Sequence, residues 1–504
     1  MGVPIVERAS GMRLCAGYVG YAFIFAGAIV MVPLLTLLFF PEERVLAPCF
    51  IFPGVGAMLL GYLICFMSIK GFEKGRLKKS EDALAITASW ICAVAVFALP
   101  FIATGDYTLP QAVFEATSGL TTTGLSVVDV ASCSHLMLLH RSMMHFFGGV
   151  GLLLVLASLV SDNGVLRIYN AEGHTDRLLP SVAGTARMIL ALYTGVIAVG
   201  VFAYVVCGMP LFDAVNMSIS AVSTGGFAVE PASVGAYESA SIEVVSIVLM
   251  MLGATNFLAL YLLLKGNVKA FFHHAETKAF YGVVLAVSLV VGLVIVGDGS
   301  QDPLWRVGLD SLLHVVSVIT TTGFQTVDSF AAYPSAVLLL FIMLMFLGSE
   351  AGSTAGGIKM YRIVVIVKGL FWTLRDGFGH RRNIYSRKIS RFGKRIDCTD
   401  EECWAAFAYA LLYLGMFVIV SFVFALAGAS LEEAAFESAS CLGNVGVGIG
   451  FITADSSPIV LWTASAGMLL GRLEIIPVFL GFWKMGSIAR AAISDRLSRG
   501  KEAR

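Results

Sequence analysis

Ten stretches of this chain are apolar over roughly the length that crosses a bilayer: 16–40, 48–69, 84–103, 142–160, 185–207, 242–264, 278–297, 334–347, 406–427 and 459–482. A hydrocarbon core about 30 Å thick takes about 20 residues of α-helix to span. Backbone inside it must satisfy its own N–H and C=O groups, which confines such stretches to helices. Composition closes the soluble alternative, because of 504 residues 58% are hydrophobic and only 13% charged, too few to coat a water-facing surface. Lys plus Arg equals Asp plus Glu at 34 each, so bulk charge points to no partner and gives no ground for nucleic-acid binding. The first stretch reads as a membrane helix, not a cleaved leader, because further spans follow it. Two stretches are expected to break. The one beginning near Tyr333 runs into Gly348–Gly357, and the last contains Gly471-Arg472-Leu473-Glu474 and Pro477.

Positive charge orients the chain. Lys70, Lys74, Arg76, Lys78 and Lys79 occupy one connection. Lys368, Arg375, Arg381, Arg382, Arg387, Lys388, Arg391, Lys394 and Arg395 occupy another, and Lys484, Arg490, Arg496, Arg499, Lys501 and Arg504 the tail. With ten spans these share one side with the N-terminus, which is expected to be cytoplasmic. Glu42, Glu43, Asp106, Asp129, Glu230, Asp298 and Asp302 collect on the other side, with Arg44 a minor exception.

Between spans lie four segments too short and too polar to cross: 114–124, 216–226, 313–323 and 436–446. Each ends in glycine, at Gly124, Gly226, Gly323 and Gly446, with an apolar residue four places earlier: Leu120, Val222, Ile319 and Leu442. The unit is span, re-entrant segment, span, repeated four times after an opening helix pair. Irregular backbone at membrane depth is tolerated where protein buries it or it lines a watery cavity, and four such segments can surround one axis. Their carbonyls can replace the water shell of an ion, glycine can aim them, and the C-terminal ends of the short helices favour a cation.

At these residues the sequence resembles the Trk/Ktr/HKT superfamily of potassium transporters, most of all the bacterial Trk-type potassium uptake membrane subunit. Thr121-Thr122-Thr123-Gly124, Ser223-Thr224-Gly225-Gly226-Phe227, Thr320-Thr321-Thr322-Gly323-Phe324 and Gly443-Asn444-Val445-Gly446 stand in order. Arg141-Ser-Met-Met-His-Phe-Phe-Gly-Gly149 resembles the opening of the second helix of repeat one. The resemblance implies an all-α polytopic membrane fold of four span–loop–span repeats around a central pore, plus an N-terminal helix pair. It implies a potassium filter with walls Thr122, Thr123, Gly124; Thr224, Gly225, Gly226; Thr321, Thr322, Gly323; and Asn444, Val445, Gly446. Potassium is then the transported ion, with no cofactor. The location implied is the bacterial inner membrane. The implied partners are a second copy of the chain, each with its own pore, and a separate cytoplasmic nucleotide-binding regulatory subunit, which the basic connection at 368–395 would meet unless it meets anionic lipid. The fourth wall has Asn444 and Val445 where the first and third have threonine pairs, and Val447 where relatives often have proline, so it is expected to hold ions less regularly, which bears on exact selectivity. A less selective K+/Na+ channel and an ion-coupled symporter remain alternatives.

In Gly348–Gly357 every residue except Glu350 is Gly, Ala, Ser or Thr, more than a kink requires. This break is expected to line the path below the filter, and by resemblance it is an intramembrane gating loop. Arg472 matches an arginine that projects into the pore. It is expected to set an electrostatic barrier there, or to form a structural pair with Glu350 or Glu474. Glu115 and Glu437, nine residues before their glycines, either brace the short helices or are solvated. Asp129 and Asp328 either gather cations at the outer mouth or are ordinary surface.

No Walker loop, Rossmann fingerprint, HExxH or GxSxG occurs, so an enzyme is not expected. His145, His273, His274 and His314 lack metal-ligand spacing, and the nine cysteines include no CxxC pair. A symporter built on inverted repeats would show units of several spans each. The expected organisation is 1–80, helix pair; 81–165, 166–265 and 266–372, pore repeats one to three, with the gating loop at 348–357; 373–402, basic connection; 403–504, repeat four and tail.

Overall fold

Glycines spaced by seven residues set the first contact of the chain. In this computed structural model, which describes residues 11–68, 79–151, 182–378 and 387–502, helix Gly11–Met31 continues as the 3-10 turn Val32–Leu38 and packs against helix Ala47–Ser68. Gly20 faces the Gly61 carbonyl and Gly27 faces Gly54, so that a Cβ on any of the four would collide with the opposite backbone. Small residues are how membrane helices approach closely. The pair covers helix Lys79–Thr104, whose most apolar window is 67% buried against 17–28% for the first helices of the other three repeats. Those three carry exposed Phe202, Leu289, Leu293, Leu411 and Phe422, the surface that lipid replaces water around.

Four repeats follow. The first is Lys79–Thr104, short helix Leu109–Leu120 and second helix His135–Val150; the second is Val182–Val206, Leu211–Val222 and Ala240–Ala254. The third is Ala275–Gly297, Leu304–Ile319 and Ser335–Leu347; the fourth is Asp400–Leu426, Leu431–Gly443 and Pro458–Arg472. The short helices have 12, 12, 16 and 13 residues, about 18–24 Å at 1.5 Å per residue, too short to span. Their starts are fixed by local chemistry. Thr108 with Gln111 and Ser430 with Glu433 form capping boxes, while Pro210 and Pro303 occupy the N-cap of the other two.

Among the described residues three second helices break, where the sequence pointed to two, and the remaining one ends at the edge of the described residues. Ala240–Ala254 bends by 109° into Phe257–Leu264, and Pro458–Arg472 by 111° into the last helix. Ser335–Leu347 stops at Gly348 (φ 63°) and His135–Val150 at Gly151 (φ 94°). The break after Ala254 escaped notice because Thr255-Asn256 lacks glycine. Asn256 makes it by capping the next helix, its side chain accepting from the Leu258 and Ala259 N–H groups.

Among the described residues six helices are long and apolar enough to cross a membrane, and up to eight if each of the two bent pairs is one span. Of the other two expected stretches, 334–347 is the 13-residue helix that stops at Gly348, and 142–160 begins earlier, at His135, and leaves the described residues after Gly151. Glu7, Arg8, Lys70, Lys74, Arg76, Lys78, Arg381, Arg382 and Arg504 also lie outside the described residues. The helix Met360–Phe378 follows the third break, and Lys388–Arg391 pairs antiparallel with Lys394–Asp397 in a hairpin that the all-helical expectation did not foresee.

Gly61→Leu should wedge the opening pair apart and lower the stability of the detergent-purified protein by about 1–3 kcal/mol. Chemical denaturation followed by tryptophan fluorescence measures it, and an unchanged midpoint would refute the close contact.

Candidate functional site

Each short helix ends in the same way. The N–H of Thr123, Gly225, Thr322 and Val445 donates to the carbonyl of Ser118, Ser220, Ser317 and Ser440 at 2.9, 2.9, 2.9 and 3.0 Å. The preceding residue is left-handed in every case: Thr122 at φ 53°, Thr224 at 53°, Thr321 at 57° and Asn444 at 56°. This is a Schellman end. The signature glycines come two residues later and also have positive φ: 94° at Gly124, 85° at Gly226 and Gly323, and 88° at Gly446. Left-handed backbone is costly for a β-branched residue, so the three threonines are held in strain by their surroundings. Asparagine tolerates it. The backbone of the fourth loop follows the other three, because Asn444 adopts the conformation of its counterparts with less strain.

The four loops close into a ring. A Cβ on Gly124 would strike the Gly225 carbonyl oxygen; on Gly226, that of Thr322; on Gly323, that of Val445; on Gly446, that of Thr123. Loop one therefore meets two, two meets three, three meets four, and four returns to one. All twelve residues assigned to the walls lie in this ring. The signature glycines are partly exposed and the other eight wall residues are buried. Gly225 has its own reason, since a side chain there would enter the His145 ring. That is why loop two reads Thr-Gly-Gly.

Behind the ring, a buried acceptor nine residues before the glycine receives a backbone N–H twelve residues further on. Val127 donates to Glu115, Thr326 to His314 and Ile449 to Glu437, each at 3.1 Å. The bracing alternative thus holds for both glutamates, which are fully buried or nearly so. His314 is a third brace, its other ring nitrogen 2.8 Å from the Tyr333 hydroxyl. Its position nine residues before a glycine is a signal in the sequence, as is the serine six residues before each of the four glycines. Repeat two has Met217 at that place. There Arg141 reaches across from repeat one, 2.8 Å from Glu115 and 3.3 Å from the Ala228 carbonyl, with its guanidinium 3.9 Å from the centre of the Phe227 ring.

Below the ring the second helices seat the short-helix ends. A Cβ on Gly148, Gly253 or Gly471 would strike the carbonyl of Leu120, Val222 or Leu442. In repeat three the Ser349 hydroxyl takes this place and donates to the Ile319 carbonyl at 2.8 Å. Glu350 and Arg472 follow their seats at one register. The segment 348–359 then crosses under the ring. The Thr354 hydroxyl lies 3.1 and 2.9 Å from the Val222 and Gly253 carbonyls and 3.0 Å from the Thr224 hydroxyl. Gly356 donates to the Thr321 hydroxyl at 2.9 Å. On the other side Arg472 donates to the carbonyls of Thr354, Gly148 and Gly149. One loop and one arginine thus join all four repeats beneath the ring.

The carboxylates expected beside Arg472 are engaged elsewhere. Glu474 receives Arg362 at 2.8 Å, and Glu350 accepts from the Asn256 N–H at 3.0 Å. The Arg472 guanidinium meets the backbone carbonyls of Thr354, Gly148 and Gly149. Asp129 and Asp328 are exposed, and Asp129 caps the turn Val130–Ser132.

The chain matches the TrkH family, described as cation transport protein, over residues 59–490. It is 32% identical to the Trk system potassium uptake protein TrkH of Salmonella typhimurium, over 81% of this chain and 86% of that protein. It is 31% identical to the protein of the same name from Escherichia coli, over 84% and 89%. The crystal structure of the potassium transporter TrkH from Vibrio parahaemolyticus superposes with a TM-score of 0.82 at 24% identity, covering 93% of this chain and 98% of that one.

His314→Leu should leave the Thr326 N–H without its acceptor and cost about 1–3 kcal/mol of stability. His314→Gln, which keeps an acceptor, should recover most of it in the same thermal unfolding assay. Equal losses in both would show that ring volume, not the hydrogen bond, matters.

Proposed function

The chain belongs to the TrkH family of cation transport proteins, and on that premise we propose that it takes up potassium across the bacterial cytoplasmic membrane, with the ring as filter and 348–357 as gate. The observation that carries this reading is the closed ring of four loops with one shared backbone. Two positive-φ residues flank the middle residue of each wall, so successive carbonyls can face the axis and stand in for the ion's water. Four short helices aim their negative C-terminal ends at the same point, which favours a cation. The relatives named as potassium uptake proteins support potassium as that cation.

Under this reading the ion passes the signature glycines, then the carbonyls of Thr123, Gly225, Thr322 and Val445, and meets the gate below. Thr354 and Gly356 tie the gate to the filter, and Arg472 places a positive charge under the same point. A charge at membrane depth is costly, about 3 kcal/mol or more, and Arg472 lowers that cost by holding three carbonyls. The gate cannot leave the axis without breaking the Arg472–Thr354 contact, so arginine and loop move together. The N-terminus and basic connections lie in the cytoplasm, following the charge bias. The chain acts as a homodimer with a separate cytoplasmic regulatory subunit, in keeping with relatives named as members of a Trk system.

Flux into liposomes holding the purified protein tests the filter and the gate separately. Rubidium and potassium should enter well ahead of sodium and lithium. Gly323→Ser puts a Cβ into the Val445 carbonyl at φ 85°. That strain is about 1–2 kcal/mol, which should lower the rubidium-to-sodium ratio roughly tenfold. Arg472→Ala should raise rubidium flux without lowering that ratio. An unaltered ratio in the first variant would remove the ring from selectivity, and an unaltered flux in the second would remove the arginine from the gate.

A further inference from the structure

The cytoplasmic hairpin 388–397 is built around a residue that turn chemistry does not choose. Its two-residue turn is Phe392-Gly393, with φ 46° and 80°. Turns of this hand favour Asn-Gly or Asp-Gly, and phenylalanine there is strained. The contact that compensates is with His274, whose ring lies 4.4 Å from that of Phe392 at an interplanar angle of 9°. His274 is the N-cap residue of the first helix of repeat three. Its imidazole is 3.5 Å from Glu276, 3.9 Å from Glu350 and 3.2 Å from the Thr277 hydroxyl. Glu276 in turn accepts the Ala351 N–H at 2.8 Å. Phe392 thus backs the imidazole that lies against Glu276 and Glu350, the two carboxylates at the entrance of the 348–359 loop.

The neighbouring residue reaches the exit. The Arg391 guanidinium lies 4.5 Å from the centre of the Tyr361 ring, and Tyr361 is the second residue of the helix that leaves the loop. The base of the hairpin is fixed to the same helix. Ile389 packs with Val365, and Arg387 pairs with Asp376 at 2.8 Å. Along the chain, entrance and exit of the loop are separated by the break itself. In space, two adjacent residues of one hairpin tip lie near both: Arg391 over Tyr361, just past the exit, and Phe392 on His274, which stands between the tip and the carboxylates Glu276 and Glu350 at the entrance.

Resting on the reading of 348–357 as the gate, we infer that the hairpin tip Arg391-Phe392 is a clamp that positions both ends of the gate in the closed arrangement. These are positioning residues, remote from the ion path. A force that lifts the hairpin from the membrane face releases His274 and Tyr361 together, which frees the loop at both ends.

The test is unstimulated rubidium uptake by the full-length protein in liposomes, with Thr354→Val as a reference that loosens the gate directly. Phe392→Ala should raise uptake by about threefold to tenfold, the size of one aromatic contact. Arg391→Ala should raise it in the same direction. Phe392→Tyr, which keeps the ring, should behave as the parent, and the rubidium-to-sodium ratio should not move in any of the hairpin variants. His274→Ala added to Phe392→Ala should raise uptake no further, because the two act as one unit. If Thr354→Val raises uptake and Phe392→Ala does not, the clamp is wrong and the gate stands. If neither raises it, the gate reading falls and the clamp with it. Equal increases in the alanine and tyrosine variants would overturn the role of the stacked ring.

Discussion

Everything at the centre of this protein depends on how closely four loops approach one another. Each signature glycine packs its Cα against a carbonyl of the next loop, and the sequence of contacts returns to its start. A single side chain at any of the four positions would open the circle. The conformation that permits it is equally demanding, a left-handed residue and then a positive-φ glycine in every loop. Free energy for that strain comes from the supports behind the ring: the serine carbonyls, the acceptors nine residues before each glycine in three repeats, and Arg141 with His145 in the fourth case. Buried polar groups of this kind stabilise only when each finds its partner, which accounts for the density of polar residues at membrane depth.

The repeats are alike where the ring is built and differ below it. Gly148, Gly253 and Gly471 let three second helices press directly on the short-helix ends. Repeat three keeps the position but uses the Ser349 hydroxyl, and the helix dissolves into the crossing loop. At the next register stand Gly149, Ala254, Glu350 and Arg472. The two small residues leave room, and the two charged ones face different tasks, since Glu350 anchors the loop to the N-terminus of a helix and Arg472 gathers the carbonyls of Thr354, Gly148 and Gly149. Asymmetry added to a symmetric frame lets one element cross the axis.

Much of this was legible in the sequence because it rests on local rules. Hydropathy placed the helices, and the recurrence of a glycine turn between spans placed the ring residues without any knowledge of contacts. The breaks at Gly348 and Arg472 were visible through small residues and a buried charge. The break at Asn256 was not, because it is made by a cap that looks the same as any asparagine in a row of letters. His314 was passed over since a histidine invites a metal reading before a hydrogen-bonding one. The fourth loop looked irregular by residue type, yet asparagine is a better left-handed residue than threonine. The backbone carbonyls around Arg472 were not legible for a related reason: residue types suggest carboxylate partners, whereas backbone acceptors cannot be read from side chains at all.

The central claim is that the ring of backbone carbonyls binds the transported ion. Anomalous diffraction from crystals grown in rubidium tests it most directly. The account predicts density on the axis, within coordination distance of the carbonyls of Thr123, Gly225, Thr322 and Val445 and above Thr354. Rubidium bound at acidic side chains away from the axis, with the ring closed by direct contact between its loops, would contradict it.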